Sequence, residues 1–188
     1  MYAWNLEASA AMWGGFAVLE VCLRNAIHTQ LSSVADGDMW WHAPALILFH
    51  DQRQQVTDAI ARATFEHGPG MTAGHVVAQL TFGFWVSLLT NRYHSRLWVP
   101  TVSAAFPYWV LRRGDLHFRL ETLRKVRNRL AHHEKMFNRD LLRDHQDILD
   151  ILAAIEPAVS DWVAQDSRLP AIVAARADIV AGRRSTSL

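Results

Sequence analysis

Cysteine is nearly absent from this chain: Cys22 is the one cysteine among 188 residues. A single cysteine excludes an internal disulfide framework and is typical of a protein from a reducing compartment. The first residues, Met1 to Asn5, place no basic region before an apolar one, so they lack the pattern of a signal peptide. We therefore expect a cytoplasmic protein.

Charge is absent from one long segment, His67 to Asn91, which contains no Asp, Glu, Lys or Arg. Gly68-Pro69-Gly70 interrupts this segment near its start. The remainder contains polar side chains that a bilayer interior disfavours, among them Thr72, His75, Gln79 and Thr81. We expect a buried helix here and no membrane partner.

Hydrophobic residues make up 51% of the chain and charged residues 20%, the balance of a globular rather than a disordered protein. The length suits one domain, and eight tryptophans require a substantial core or a partner surface. We predict a single domain over residues 1–182 and a flexible tail over residues 183–188.

Basic residues are concentrated in one part of the sequence. Residues 112–143 contain ten basic and four acidic residues, a net charge of +6, whereas the whole chain carries +1. The remaining residues therefore carry −5. A local excess of this size predicts attraction to a polyanion.

Apolar residues recur at helical spacing through most of the chain, and no segment alternates as a strand does. This pattern predicts an all-α fold. Asp36-Gly37-Asp38 is expected to end the first helix, and Asp115 to cap the fourth after an aromatic connector. The predicted helices cover residues 4–33, 45–65, 72–91, 115–134 and 141–155.

The most informative stretch is Arg127-Asn128-Arg129-Leu130-Ala131-His132-His133-Glu134, at the end of the fourth predicted helix. Successive helical residues turn by roughly 100°, which places polar and apolar side chains here on opposite faces. Arg127 lies at the edge between the faces. The core face is predicted to hold Leu123, Val126 and Leu130, and the polar face Glu121, Arg124, Asn128 and His132.

An arginine and a histidine on one short segment form a minimal set for cleaving RNA without a metal. A guanidinium binds phosphate, and an imidazole transfers protons near neutral pH. The spacing alone is a weak signal, because charged faces of amphipathic helices are usually only solvated. The residues by themselves leave both interpretations open.

The motif, with Met136-Phe137-Asn138 after it, resembles the signature of the Abi-like (abortive infection) family of bacterial proteins. That family is similar to the HEPN superfamily of helical domains. The resemblance extends from residue 2 to about residue 155, although family members usually have another helical stretch before the first landmark. The landmarks, in order, are Trp4-Asn5, Leu19-Glu20-Val21, Leu23-Arg24-Asn25-Ala26-Ile27, Trp40-Trp41 and Phe82-Gly83-Phe84-Trp85.

The resemblance implies a HEPN-like helical bundle with additional C-terminal helices. It also implies a metal-independent endoribonuclease, without a cofactor, that acts in phage defence by abortive infection or as a toxin. RNA would be its substrate, a homodimer would form a composite active site, and an antitoxin or other partner would neutralise it. The implied catalytic residues are Arg127, Asn128 and His132, supported by Glu20, Arg24, Arg124, His133 and Glu134.

Other interpretations of these residues stay open. The same basic face suits a non-catalytic helical module that binds RNA or a protein partner. Glu20 and Arg24 are spaced to form an ion pair that braces the motif helix, or only a surface pair. A metal site at His132, His133 and Glu134 is disfavoured, because adjacent side chains diverge on a helix.

Three local patterns add smaller expectations. HEPN toxins with nucleotidyltransferase antitoxins typically have a tyrosine two positions after the histidine. Here that position is Glu134, so regulation by nucleotide transfer is disfavoured. Arg24-Asn25-x-x-His28 imitates the motif but is interpreted as structural, and Phe82-Gly83-Phe84-Trp85 is interpreted as packing.

Overall fold

The computed structural model describes residues 1–35, 37–44 and 46–186. Every regular element within these ranges is helical, which confirms the all-α prediction. Short 3₁₀ and π turns occupy much of the predicted aromatic connector. The α-helices are α1 (Tyr2–Ala35), α2 (His50–His67), α3 (Ala73–Gln79), α4 (Phe82–Ser87), α5 (Arg113–Ala131), α6 (Leu141–Ile155), α7 (Pro157–Asp166), α8 (Leu169–Ala174) and α9 (Arg176–Val180).

The predictions for α1 and α6 are close to the observed bounds. α1 extends two residues beyond its predicted range at each end, and α6 matches the predicted 141–155. The Asp140 carboxylate caps α6 by accepting from the Arg143 N–H at 3.0 Å. Asp36, part of the predicted helix stop, lies outside the described residues, as do Ser187 and Leu188 of the predicted tail.

The second predicted helix begins later than expected. Its predicted first residue, Ala45, lies outside the described residues, and α2 begins only at His50. Leu46 and Leu48 are both buried, at 6% and 3% exposure, in a non-helical segment. The Phe49 N–H donates to the Tyr93 hydroxyl at 2.8 Å, which fixes the residue before α2 outside the helix.

The single helix predicted over residues 72–91 is wrong, because this segment forms α3 and α4 with a break between them. Leu80 and Thr81 have extended backbones at the break. The Thr81 hydroxyl accepts from the Phe84 N–H at 3.2 Å and so caps α4. Thr81, which the prediction placed inside a helix, is therefore the N-cap of α4.

Asp115 also differs from its predicted role. α5 begins two residues earlier, at Arg113, and the Asp115 carboxylate accepts from the Arg112 N–H at 3.2 Å. Asp115 thus reaches back from the third helical position, as in half of a capping box.

One compact unit comprises Cys22–Phe118. Trp40 is fully buried there, with its ring centroid 6.3 Å from Phe84 and 6.2 Å from Trp85. Its indole N–H donates to His28 Nδ1 at 3.0 Å. These contacts agree with packing roles for Phe82-Gly83-Phe84-Trp85 and for His28.

The other compact unit comprises Met1–Val21 together with Arg119–Leu188. Within it, Trp4 is buried and its indole N–H donates to the Ile172 carbonyl at 2.9 Å. The Asn5 side-chain oxygen accepts from the Met136 N–H at 2.7 Å. These contacts connect the beginning of α1 with the segment after α5 and with α8.

α1 is long and apolar enough, by length and composition, to cross a membrane: its best 18-residue window has a mean hydropathy of 1.4. The segment considered from the sequence, His67 to Asn91, instead forms short helices. A core helix passes the same test when most of one face is buried. On α1 the buried apolar stripe is Trp4, Ala8, Met12, Phe16, Leu19, Leu23, Ile27 and Leu31, each at most 1% exposed.

We predict that stability falls in mild acid because two histidines are held neutral. Burial lowers the pKa of His145, whose Nε2 lies 2.7 Å from the Ser167 hydroxyl, and of His28, whose Nδ1 accepts from Trp40. The unfolded chain binds more protons than the folded protein below its histidine pKa of about 6.5. The contribution of these two histidines to the free energy of unfolding should therefore be fully present above about pH 6.5. It should be lost as the pH decreases towards the lowered pKa values of the folded protein.

Urea unfolding between about pH 5 and pH 7.5 tests this prediction. His145→Gln keeps a polar group near Ser167 but cannot be protonated, so the pH dependence should become shallower. His94→Gln is the matched control, because His94 is exposed. Equal pH dependence in His145→Gln and the wild type would contradict the prediction.

Candidate active site

The C-terminal part of α5 separates its side chains as the sequence predicts. Leu123, Val126 and Leu130 are buried, each at most 1% exposed. Asn128 and His132 are exposed, and Arg127 is half-buried. The interpretation of this segment as an amphipathic helix with Arg127 at its margin is confirmed.

The end of α5 differs from the prediction: the helix stops at Ala131 rather than Glu134. The Glu134 N–H donates to the Arg129 carbonyl at 2.9 Å, and the His133 N–H donates to the Leu130 carbonyl at 3.0 Å. These two bonds form a Schellman motif.

His133 occupies the left-handed position of this motif, with φ of 53°. Glycine is the usual residue there, and a left-handed backbone costs other residues roughly 1–2 kcal/mol. Histidine tolerates this region better than β-branched residues do. Among the described non-glycine residues, His133 is the one with a positive φ.

A tertiary contact explains why the helix stops without a glycine or proline. Met136 is fully buried, and its N–H donates to the Asn5 side chain at 2.7 Å. Since a continued helix would carry residues 132–136 onward along its axis, the chain has to turn after Ala131 to make this contact.

Arg129 stabilises the turn from the side. Its Nε lies 3.2 Å from Glu134 Oε2, and one terminal nitrogen donates to the Lys135 carbonyl at 2.7 Å. An apolar contact frequently connects these two positions of a Schellman motif. Here an ion pair takes its place, so Glu134 supports the turn rather than facing a substrate from the helix.

Two side chains of α1 hold Arg127 in position. Its Nε donates to Glu20 Oε1 at 2.8 Å, and its guanidinium carbon lies 5.5 Å from the centroid of the Trp13 ring. This leaves the two terminal nitrogens without a hydrogen bond to any described residue. Arg127 is therefore anchored while keeping donors for an anion.

The predicted pairing of Glu20 with Arg24 is wrong, because each of the two residues has a different partner. Glu20 bonds to Arg127 directly, and Arg24 Nε donates to the neighbouring Asn25 side chain at 3.4 Å. Glu20 still braces the motif helix, but it does so through the predicted phosphate-binding residue itself.

Asn128 and His132 follow each other on the exposed face. The His132 N–H donates to the Asn128 carbonyl at 3.0 Å. Neither side chain forms a hydrogen bond within the part of the chain that the structure describes. His132 lines an open depression of about 400 Å³ together with Arg129, His133, Glu134 and Lys135.

Arg124 is held more tightly than the sequence suggested. It forms two hydrogen bonds of 2.7 Å to the two oxygens of Glu121. These bonds to the carboxylate raise the pKa of Arg124. With Nε and one terminal nitrogen bound to this carboxylate, Arg124 acts as a partner of Glu121 on this face.

The net positive charge of residues 112–143 is partly neutralised by carboxylates from outside this segment. Glu20 forms an ion pair with Arg127, and Asp144 forms one with Arg139 at 2.5 Å. Arg119 and Arg143 likewise pair with Asp147. These carboxylates therefore largely compensate the basic surface that the sequence predicts.

No group of three or more metal-binding side chains occurs among residues 1–35, 37–44 and 46–186.

Sequence reasoning missed Trp13 and Lys135 as parts of this region. Trp13 lies seven residues before Glu20, two helical turns away, so the spacing could have indicated a shared face. Lys135 follows the motif directly, but its place beside the depression depends on the turn at His133.

We predict that the ion pair between Glu20 and Arg127 contributes modestly to stability. Both side chains are about one-third exposed, at 27% and 34%, so solvent screening should limit the coupling to roughly 0.2–1 kcal/mol. A double-mutant cycle with Glu20→Gln and Arg127→Gln, measured by urea unfolding, gives this energy. A coupling indistinguishable from zero would show that the contact does not fix Arg127.

Comparison of the chain with protein-family models, with curated proteins and with solved structures finds no match.

Proposed function

We propose that this protein is a metal-independent endoribonuclease of the HEPN type, an Abi-like protein that acts in phage defence by abortive infection or as a toxin. The observation that carries the proposal is the arrangement at the end of α5. An arginine anchored through its Nε keeps two terminal nitrogens available, and an exposed histidine follows five residues later.

Contacts between the family landmarks support the resemblance. Glu20 of one landmark bonds to Arg127 of the motif, and Asn5 of another bonds to Met136. In the other unit, Trp40 packs against Phe84 and Trp85. Residues that were selected from separate parts of the sequence thus occur as contacting sets.

In the proposed reaction, neutral His132 removes the proton from an RNA 2′-hydroxyl. The 2′-oxygen attacks the adjacent phosphorus, and the bond from phosphorus to the 5′-oxygen breaks. The departing 5′-oxygen takes up a proton from an acid at the site or from water, so the products are a 2′,3′-cyclic phosphate and a 5′-hydroxyl. Arg127 holds the phosphate and offsets the charge that develops on its oxygens, while Asn128 orients the phosphate or His132 through its amide.

A single copy does not bring Arg127 and His132 together. Five residues along a helix correspond to a rotation of roughly 140° and a rise of about 7.5 Å. The two side chains of one copy therefore diverge. Two copies related by a twofold axis would place the histidine of one beside the arginine of the other, which is why a homodimer belongs to the proposal.

RNA is the proposed substrate, and a neutralising antitoxin or other partner would control a toxin of this kind. The proposed location is the cytoplasm, where RNA is available. No cofactor is needed for this chemistry, since the 2′-hydroxyl is the nucleophile.

A second candidate is a non-catalytic helical module that binds RNA or a protein partner. The compensated charge of α5 favours it, because Arg124 and Arg129 are already committed to Glu121 and Glu134. Such a module would use the remaining exposed donors for binding alone.

We predict that the purified protein cleaves labelled RNA in excess EDTA and that His132→Ala reduces the rate by roughly 10²–10⁴-fold. The fold should persist, because His132 is exposed and its side chain bonds to no described residue. His94→Ala is the control, since His94 is also exposed, and it should cleave as the wild type does.

Cleavage by His132→Ala at the wild-type rate would contradict the assignment. A salt-sensitive shift of RNA without cleavage by the wild type would favour the binding module.

We also predict that Arg127→Lys impairs cleavage although it keeps the charge. Lysine lacks the planar fork that bonds Glu20 through one nitrogen and phosphate through two others. Loss of such transition-state donors typically costs about 10²–10³-fold in kcat. Arg143→Lys, on α6, is the control, because the Arg143 side chain is exposed. Equal rates for the two variants would contradict the role of Arg127.

A further inference from the structure

His132 and His133 line the same depression, although neighbouring side chains on a helix point in directions that differ by roughly 100°. The left-handed backbone of His133 ends the helical rotation at this residue. Two imidazoles are thereby present at one surface. RNA cleavage by 2′-hydroxyl attack requires two proton transfers, one at each end of the reacting phosphate.

A histidine at position 133 costs more conformational free energy than a glycine would, because the backbone there is left-handed. Glycine would fit the left-handed position without strain, and the ion pair of Arg129 with Glu134 already stabilises the turn. A histidine in a strained backbone at an exposed candidate site is the kind of outlier from which function can be inferred.

We propose that His133 is the general acid of the cleavage reaction, so that each copy supplies both proton-transfer groups. This inference rests on the proposed function. His132 takes the 2′-hydroxyl proton as the bond from the 2′-oxygen to phosphorus forms. His133, as imidazolium, gives its proton to the 5′-oxygen as the bond from phosphorus breaks, and exchange with solvent restores both histidines.

The other groups at the depression fit this division of roles. Arg129 is committed to Glu134 and to the Lys135 carbonyl. Glu134 is the nearby acidic group, and its carboxylate pairs with Arg129. The Lys135 ammonium forms no ion pair with another described residue, so it offers a cation for a neighbouring phosphate of the RNA.

His133→Gly separates this proposal from a purely structural role. Glycine is favoured at the left-handed position, so we expect the melting temperature to rise by about 2–4 °C. A structural role predicts a more stable protein that cleaves RNA as well as the wild type. A general acid predicts a more stable protein that cleaves RNA roughly 10²–10⁴-fold more slowly.

The leaving group provides the second measurement. In an RNA whose bridging 5′-oxygen is replaced by sulfur, the thiolate leaves without taking a proton. His133→Gly should therefore cleave this substrate at nearly the wild-type rate, whereas His132→Ala should stay slow. His133→Asn, which also tolerates a left-handed backbone, should repeat the pattern.

The outcomes distinguish the two levels of the proposal. Wild-type rates on ordinary RNA for His133→Gly, with loss in His132→Ala, would overturn the role of His133 and leave the nuclease intact. Equally slow cleavage of both substrates by His133→Gly would overturn the acid assignment. No cleavage by the wild type would overturn the proposed function and this inference with it.

Discussion

Burial of Leu123, Val126 and Leu130 fixes the rotation of α5 about its own axis, and the placement of the polar side chains follows from it. With this stripe inside, Asn128 and His132 must face outwards and Arg127 must lie at the margin. Removing this much apolar surface from water contributes roughly 1.5–3 kcal/mol for each side chain. No exposed ion pair of the site is comparable in strength, so the core decides which groups the surface presents.

Ion pairs then determine what the exposed groups can do. Glu121 holds Arg124 through two nitrogens. Arg129 contacts Glu134 through Nε and donates to the Lys135 carbonyl through a terminal nitrogen, whereas Arg127 is held by Glu20 through Nε only. The difference matters because a guanidinium has five donors, and a single bond through Nε leaves the fork available. The candidate site depends on this partial commitment of Arg127 more than on net positive charge.

Prediction succeeded where a local pattern and the tertiary structure favour the same conformation. The periodicity of α6 and its cap, Asp140, gave its bounds because both signals lie within the helix. It failed for residues 72–91, where Thr81 was interpreted as a helix interior residue but caps α4. It also failed at Glu134, because a contact between Met136 and Asn5, over a hundred residues apart, ends α5.

The sequence by itself determined that the chain is helical and which face of α5 is polar, since both follow from spacing along a single segment. Only the tertiary structure decided that Glu20 and Trp13 anchor Arg127, because these residues are distant in sequence and meet through helix packing. The turn at His133 likewise depends on where the chain must go next, to bury Met136. Spacing determines the direction of a side chain on its own helix, whereas its partners depend on which helices pack together.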